Sequence, residues 1–341
     1  MKIIVDAMGG DFAPAAPVEG ALAAVKELGA EILLVGRAEA ILSSLEQLGI
    51  REVPRGIEIV HAEEVVEVED NPATVTREKK DSSMAVGLNL LKEGKGAAFV
   101  SAGSTGALLT AATLIVKRIR GIRRAALAPV IPTASGGAVL IDCGATADCT
   151  PEYLLQFAFM GSYYAQRVLN NPDPKVGLLN IGAEPSKGTD LQRETHILLE
   201  RAHREERIRF YGNIEAKEAL LGGVDVVVAD GFSGNILLKT YEGTAKYMVG
   251  LLKKAFSKSI ATKLGALLVM GEIGEIKKSL DPNEVGGTAL LGISKPVIKA
   301  HGSSNAYAIR NAIGQGMKLA GSDLIQDITD NMEYMRLTSV E

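Results

Sequence analysis

Short apolar runs alternate with longer amphipathic stretches along most of the chain. Strand-like runs cover residues 2–5, 31–35 and 57–60. The stretches that follow them, residues 17–28, 38–48 and 82–91, have apolar positions at helical spacing. This alternation predicts a mostly parallel β-sheet with helices on both of its faces.

One pair of runs breaks the alternation. Residues 126–131 and 138–141 are both apolar, and only a Pro-, Ser- and Gly-containing segment, residues 132–137, lies between them. Two strands joined by so short a turn form an antiparallel hairpin. Because no linker-like segment divides the sequence, we expect one three-layer α/β/α domain over residues 1–341, with a mostly parallel sheet and an antiparallel portion.

Residues 237–280 form a different kind of segment. Tyr241, Ala245, Met248 and Leu252 recur at near-helical spacing, which predicts a long amphipathic helix, and a second short helix follows. Between the two helices lies an apolar tip among lysines, with Leu264, Leu267, Leu268, Val269 and Met270 as its contact residues. We expect a protruding helical hairpin that inserts shallowly into an anionic membrane surface or packs on a partner as a dimerisation arm.

Composition excludes some classes of function. The net charge is −4, aromatic residues make up 4%, and there is no Trp, so a nucleic-acid partner is not expected. The two cysteines are too few for a disulfide framework and favour a reducing cytosol. We find no signal peptide and no apolar run long enough for a bilayer, which predicts a cytoplasmic protein.

Four apolar runs end abruptly in small, polar, Gly-rich loops. The four loops contain Ser101, Gly182, Asp230 and His301, respectively. In open α/β sheets, loops that follow strands share one edge, where ligands bind, and helix starts there attract anions. The sequence therefore predicts an anion site that several loops build. It contains neither a P-loop nor a dinucleotide-binding fingerprint.

Each loop offers candidate side chains. The first loop would form either a phosphate cradle or an ordinary strand-to-helix turn. The residues of this cradle are Ser101, Gly103, Ser104, Thr105 and Gly106. Lys187 would neutralise phosphate or a developing oxyanion, or lie solvated at the surface. Asp230 and Asn235 would orient a ligand, or Asp230 would only cap a helix. His301 is the acid/base candidate, unless it only bonds a neighbouring loop.

No covalent nucleophile or metal cluster stands out. Cys143 and His301 would make a nucleophile pair, but a small buried residue is the commoner role for such a cysteine. Asp6 and Asp11 lack further ligands nearby, so turn roles are favoured over a divalent metal. We expect neither metal nor cofactor, and direct attack by a bound substrate.

A basic cluster lies in an otherwise acidic chain. Five cations fall within eight residues: Lys117, Arg118, Arg120, Arg123 and Arg124. Cations at a helix C-terminus are expected from the helix dipole, but five exceed that need. The cluster therefore favours an acidic macromolecular partner.

Motifs along nearly the whole chain resemble one family. They are residues 6–11 (DAMGGD), 101–106, 142–145 (DCGA), 180–182 with Lys187 and Gly188, 230–235 (DGFSGN) with Lys239, Gly286 and Gly287, and 301–303. This set is similar to the bacterial phosphate acyltransferase family, PlsX. Ser104 and Thr146 stand where Asn is expected in many relatives, and neither change removes a backbone N–H.

The resemblance implies a reaction: acyl-acyl carrier protein and inorganic phosphate give acyl phosphate and free carrier protein, on the way to phosphatidic acid. It also implies a fold similar to isocitrate and isopropylmalate dehydrogenases, a homodimer, peripheral membrane association, and a membrane glycerol-3-phosphate acyltransferase that uses the product. The basic cluster would then dock the carrier protein. Alternatives are a phosphotransacylase of acyl-coenzyme A, a metal- and nicotinamide-dependent decarboxylating dehydrogenase, and a non-catalytic lipid-binding scaffold.

Overall fold

Strands and helices alternate through most of the molecule. The computed structural model describes residues 1–279 and 282–336, without the side chains of residues 260, 267, 270, 276–279 and 282. The strands are β1 Lys2–Asp6, β2 Glu31–Gly36, β3 Ile57–His61, β4 Ala98–Ser101, β5 Ala126–Ala128, β6 Val130–Thr133, β7 Gly136–Ile141, β8 Lys175–Leu179, β9 Arg209–Ile214, β10 Val226–Val228, β11 Gly287–Leu291 and β12 Val297–Ala300. The helices are α1 Ala15–Leu28, α2 Ala38–Gln47, α3 Val75–Glu78, α4 Ser83–Lys92, α5 Thr105–Ala111, α6 Pro151–Val168, α7 Asp190–Arg204, α8 Ala216–Leu220, α9 Gly231–Phe256, α10 Ile260–Leu268, α11 Met270–Ser279, α12 Pro282–Val285, α13 Ala306–Ala320 and α14 Leu324–Asp330. A π-helical turn, Ala112–Val116, continues α5, and a 3₁₀ turn, Met332–Met335, follows α14.

The strands form two sheets rather than one. The larger has the order β3-β2-β1-β4-β12-β11-β5 and the smaller has the order β6-β7-β10-β8-β9. Most neighbours are parallel, whereas β11 is antiparallel to β12 and to β5, and β6 is antiparallel to β7. The predicted mixed α/β architecture is confirmed, with its antiparallel portion split between the two sheets.

The two sheets meet at a break in one extended segment. The sequence predicts a single strand over residues 126–131, but β5 ends at Ala128 and β6 begins at Val130. Pro129 lies between them, and because proline has no N–H it cannot continue a ladder on both sides. The hairpin of β6 and β7 is confirmed, and β5 instead pairs with β11.

The parallel strands of the two sheets point in opposite directions. β5 runs with β4 and β12, because it is antiparallel to β11, which is itself antiparallel to β12. β6 continues β5, and β7 runs against β6 together with β10 and β8. The four Gly-rich loops therefore do not share one edge. The loops at Ser101 and His301 follow strands of the larger sheet, and the loops at Gly182 and Asp230 follow strands of the smaller.

Helices cover both faces of the sheets, as predicted. One face carries α1, α6, α13 and α14, whose buried side chains, such as Phe157 and Ile313, pack on those of Ile3 and Val226. The other carries α4, α5, α8 and the start of α9, packed on Phe99 and Val227. Both layers are apolar and close-packed, so the loops at the strand ends are held by a rigid frame.

The arm differs from the predicted hairpin. α9 is a 26-residue helix that is buried only near its start, at Gly231, Gly234 and Leu237. The predicted apolar tip is not a connection between two helices, because Leu264 and Leu268 belong to a helix of their own, α10. Ser259 caps α10 by accepting a hydrogen bond from the N–H of Thr262. The arm thus has three helices.

Candidate active site

The ends of β1 and β4 form a closed polar cluster. Asp6 is 3% exposed, and its Oδ2 accepts a hydrogen bond from the Ser101 hydroxyl at 2.7 Å. The N–H of Gly103 donates to Ser101 Oγ at 3.0 Å, and the N–H of Met8 donates to Asp6 Oδ1 at 3.1 Å. Ser101 and Gly103 are therefore engaged with their own loop, and Thr105 is left to meet a ligand.

A buried lysine lies beside this cluster. Lys299, on β12, is 9% exposed, and its ammonium group donates to the carbonyl oxygen of Ala102 at 3.3 Å and also to that of Ala300. Burial lowers the pKa of Lys299 to about 8, although the charge of Asp6 opposes the change. An ammonium group has three donors. The third remains for an anion at this strand end.

His301 follows on the same strand. Its Nδ1 accepts the N–H of Ser303 at 3.2 Å and lies 2.9 Å from the Ser303 hydroxyl. An accepting Nδ1 places the proton of the neutral ring on Nε2. Burial lowers the pKa of His301, and the positive charges of Lys239 and Lys299 lower it further. The ring is therefore neutral at pH 7 and offers Nε2–H as a donor.

The end of β7 is organised around a carboxylate with no exposure. Asp142 Oδ1 accepts the N–H groups of Leu127 at 2.8 Å and Cys143 at 2.7 Å. Its Oδ2 accepts those of Ala145 at 2.9 Å and Thr146 at 2.7 Å. Burial raises the pKa of Asp142, and these four donors oppose the rise. The side chain ties β5, β7 and the following loop together.

α9 begins against that loop. Asp230 caps the helix through Oδ1, which accepts the N–H groups of Phe232 at 3.1 Å and Ser233 at 2.8 Å. A Cβ atom at Gly234 would lie 1.9 Å from the carbonyl oxygen of Asp142, so only glycine fits there. Asp230 thus has the capping role that the sequence left open.

A cavity of about 430 Å³, the central cavity, lies between α9 and the sheet face at β5, β6 and β11. Loops from both sheets reach it, because α9 crosses from the end of β10 toward the end of β12. Its polar wall includes Thr105, Asn235, Lys239, Tyr241, Lys299 and His301. Its apolar wall includes Leu127, Pro129, Val130, Ile131, Leu238 and Val285. One cavity therefore joins cationic donors to an aliphatic surface.

The structure brings together three of the predicted site residues and leaves others outside. Thr105, Asn235 and His301 line the central cavity, and Ser104 and Gly106 flank Thr105 without lining it. Lys187 is exposed on the loop after β8, where Asn180 Nδ2 donates to its carbonyl oxygen at 3.1 Å. Lys187 does not line the central cavity, and its role in charge neutralisation stays a prediction.

Sequence reasoning missed three side chains of the central cavity. Lys299 had a signal, since a lysine inside an otherwise apolar strand must have a partner when it is buried. Lys239 was noted only as part of the family motif, and its Nζ donates to Glu242 Oε2 at 2.9 Å. Tyr241 was assigned to an apolar helix stripe, yet its hydroxyl is buried and has no hydrogen-bond partner within the described part of the chain.

Cys143 also lines the central cavity, and its environment keeps it a thiol. The residue is 6% exposed, and burial raises the pKa of the thiol far above its ordinary value. Because the thiolate is the nucleophilic form, a Cys143–His301 pair is not activated for attack. The cavity instead suits direct attack by a bound anion.

The basic cluster borders a second cavity of about 560 Å³, the arginine cavity. Its wall contains Arg118, Arg123, Arg124 and, from beyond the predicted cluster, Arg336, together with one carboxylate, Glu152. Lys117 and Arg120 are exposed nearby but do not line it. No ion pair among the described residues involves the four arginines. Four guanidinium groups beside one carboxylate make this cavity strongly attractive to anions.

Comparison with known sequences decides the family. Residues 1–327 match the family described as fatty acid synthesis protein. The phosphate acyltransferase of Alkaliphilus oremlandii is 47% identical over 336 residues, and that of Thermoanaerobacterium thermosaccharolyticum is 44% identical over 335 residues, with 98% of each chain covered in both cases. The chain belongs to the phosphate acyltransferase family. It is therefore an acyltransferase of a lipid-synthesis family.

Solved structures agree at the level of the fold. The chain is similar to the EutD phosphotransacetylase of Staphylococcus aureus, with a TM-score of 0.58, 19% identity and 94% of both chains covered. It is also similar to a branched-chain phosphotransacylase of Enterococcus faecalis, with a TM-score of 0.56, 14% identity, and 94% and 99% of the two chains covered. Among the described residues, no helix combines the length and apolarity needed to span a bilayer.

Proposed function

We propose that this enzyme transfers an acyl group from the thioester of acyl-acyl carrier protein to inorganic phosphate. The observation that carries the proposal is the composition of the central cavity, in which Lys239, Lys299 and His301 face an aliphatic wall. A phosphate oxygen attacks the thioester carbonyl, a C–O bond forms, the C–S bond breaks, and the carrier leaves as its thiolate. The acyl phosphate remains.

The cavity residues supply positioning and charge. Lys239 and Lys299 would hold phosphate, a multiply charged anion that has to approach an electron-rich carbonyl. His301 Nε2–H and Thr105 are donors at the same strand ends and would stabilise the oxyanion that develops. Asn235, on α9, would orient the thioester. The Ser101–Gly106 loop would frame the phosphate on the side of Asp6, through its Thr105 end.

The arginine cavity is the proposed dock for the acidic carrier protein. Arg124 precedes β5. Leu127 lies three residues after Arg124 and lines the central cavity, so the two residues are about 10 Å apart along an extended chain. On the other side, Gly144 lines the central cavity, and Tyr153 lines the arginine cavity from the start of α6. A carrier bound at the arginines would therefore hold its thioester close to the phosphate site.

The arm is proposed to serve the product. α9 exposes four large apolar side chains: Tyr247, Met248, Leu251 and Leu252. They would pack on a second copy of the chain in a homodimer. Leu264 and Leu268 are 60% and 85% exposed on α10, near Lys258 and Lys263, an arrangement suited to an anionic membrane. Leu267 and Met270, also predicted to contact membrane, lie outside the described side chains. Membrane contact would deliver acyl phosphate to a glycerol-3-phosphate acyltransferase, for phosphatidic acid synthesis.

The test of the reaction is direct. Purified enzyme is incubated with palmitoyl-acyl carrier protein, with and without inorganic phosphate, and acyl phosphate is trapped with hydroxylamine. Phosphate-dependent acyl hydroxamate is the expected result. Faster turnover of palmitoyl-coenzyme A than of the carrier substrate would reassign the thioester donor, and no product from either would refute the proposal.

The membrane role has its own test. Replacing Leu264 and Leu268 by Asp is expected to release the enzyme from anionic vesicles without loss of activity in solution. Exposed Leu48, far from α10 in sequence, provides a matched Leu→Asp control that should remain bound. Unchanged sedimentation of the double variant with vesicles would remove α10 from the membrane contact.

A further inference from the structure

A third cavity lies behind the central cavity, on the opposite face of the sheets. It has a volume of about 470 Å³ and is enclosed by α1, α6, α12 and α13. We call it the rear cavity. One wall is apolar and consists of Leu28, Val168, Leu169 and the ring of Tyr164, and the other wall is polar and includes Glu284, Arg310, Asn311, Gln315 and Lys318. Two residues, Val130 and Val285, line both the central and the rear cavity. The two cavities therefore adjoin at these side chains.

The sheet is open at this point. β5 pairs with β11 as far as Ala128 and Ala289, whereas β6 pairs with β7 from Val130 onward. Within the described residues, the ladders of β11 involve only β12 and β5, and β6 is an edge strand. Pro129 at the junction has no N–H to bridge the gap. Val130 and Val285 thus border a slot between the two sheets.

The slot leads from the central cavity, with Lys239 and Lys299 in its wall, to a cavity with one aliphatic wall. We propose that the acyl chain of the substrate passes through this slot, between Val130 and Val285, and places its distal carbons in the rear cavity. This inference rests on the proposed transfer of an acyl group to phosphate. It assigns the carbonyl to the cavity with Lys239 and Lys299, and the tail to the layer of α1, α6 and α13.

The wall of the slot is held by named contacts. α12, which carries Val285, is joined to α13 by the Tyr307 hydroxyl, which donates to Glu284 Oε2 at 2.9 Å. Asn311 Nδ2 also donates to the carbonyl oxygen of Asn283 at 2.8 Å. Because these bonds fix one side and β7 fixes the other, the slot is a built feature of the fold. Its width at the two valines would set which acyl chains pass.

Two variants test the path by narrowing the slot: Val130→Phe and Val285→Phe. Each is assayed with palmitoyl- and butyryl-acyl carrier protein, because only the longer chain has to cross the slot. We expect the ratio of kcat/KM for the palmitoyl substrate to kcat/KM for the butyryl substrate to fall about tenfold or more, since each buried methylene contributes roughly fourfold to binding. Val68→Phe, at a position 77% exposed, is the matched control.

Retained butyryl turnover shows that a variant is folded. A folded variant with unchanged palmitoyl kinetics would overturn the proposal. If wild-type enzyme turned over neither substrate, the proposed function would fail instead, and the location of the chain would still be measured as follows.

A second measurement needs no substitution and covers variants that do not fold. Wild-type enzyme without phosphate is mixed with acyl carrier protein that bears a palmitoyl chain with a terminal diazirine, and is irradiated. The expected labels are on peptides of α6 and α13, which contain Tyr164, Val168 and Gly314 of the rear cavity. Labels confined to α9 and α10 would place the tail along the arm and overturn the proposal.

Discussion

The two ends of the central cavity are built on opposite principles. At the end of the larger sheet, Lys299 and His301 keep donors free for a ligand, and burial and the positive charge of Lys239 lower their pKa values. At the end of the smaller sheet, Asp142 accepts backbone N–H groups with both oxygens, and Asp230 accepts two with Oδ1. The comparison separates a chemical end from a framework end. A buried charge whose donors or acceptors are all used holds the fold, and one with a donor to spare can serve a reaction.

The largest effect is expected at the framework end, for Asp142→Ala. The variant leaves the N–H groups of Leu127, Cys143, Ala145 and Thr146 without their acceptor, and each buried unsatisfied donor costs about 1–3 kcal/mol. The free energy of unfolding in urea should fall by about 3 kcal/mol or more. Asp230→Ala, which removes only a helix cap, should cost about 1 kcal/mol. Equal losses in the two variants would contradict the framework role of Asp142.

At the chemical end, the expected loss is in rate rather than stability. Lys239→Ala removes a cation from the central cavity and should lower kcat/KM about 100-fold, the scale measured for one transition-state donor, with no change in the urea midpoint beyond about 0.3 M. Lys187→Ala is the matched comparison, since Lys187 is exposed and does not line the cavity. If Lys187→Ala lost more kcat/KM than Lys239→Ala, charge neutralisation would be assigned to Lys187 on the loop after β8.

A smaller effect is expected beyond the two ends, at the arginine cavity. Reversing Arg123 and Arg124 to Glu should raise the KM for carrier protein about tenfold at low salt, because electrostatic attraction increases the rate at which the two proteins associate. The kcat should be retained, since neither side chain lines the central cavity. Reversal of the exposed Lys92 and Lys95 to Glu changes the net charge by the same amount and serves as the control. A KM that did not change would remove the arginine cavity as the dock.

The sequence predicted the parts of the molecule that depend on local pattern. The strands at residues 2–5 and 31–35 are predicted because each is a short apolar run. The capping role of Asp230 is predicted as one alternative because a helix cap depends only on neighbouring residues. The opposite direction of the two sheets depends on Pro129 and on the pairing of β5 with β11, which no local pattern reveals. For that reason, the four loops lie at the ends of two sheets rather than at one edge. Three of them reach the central cavity, through Thr105, Asn235 and His301, whereas Lys187 does not line it.

The smallest effect is a pH dependence that belongs to the chemical end alone. Burial lowers the pKa of Lys299 to about 8, so the free enzyme carries this positive charge below pH 8 and loses it as the pH rises through that value. Inorganic phosphate is already mostly a dianion there, so the ligand does not change in parallel. Phosphate binding favours the charged ammonium group, and kcat/KM for phosphate, which reports the free enzyme, should decline above about pH 8.

At saturating phosphate, the decline in kcat should begin at a higher pH, because the bound anion raises the pKa of Lys299. In Lys299→Met, the decline near pH 8 should be absent, whereas Asp230→Ala should keep it. A decline of equal size in Lys299→Met would assign the titration to another group and weaken the distinction between the two ends.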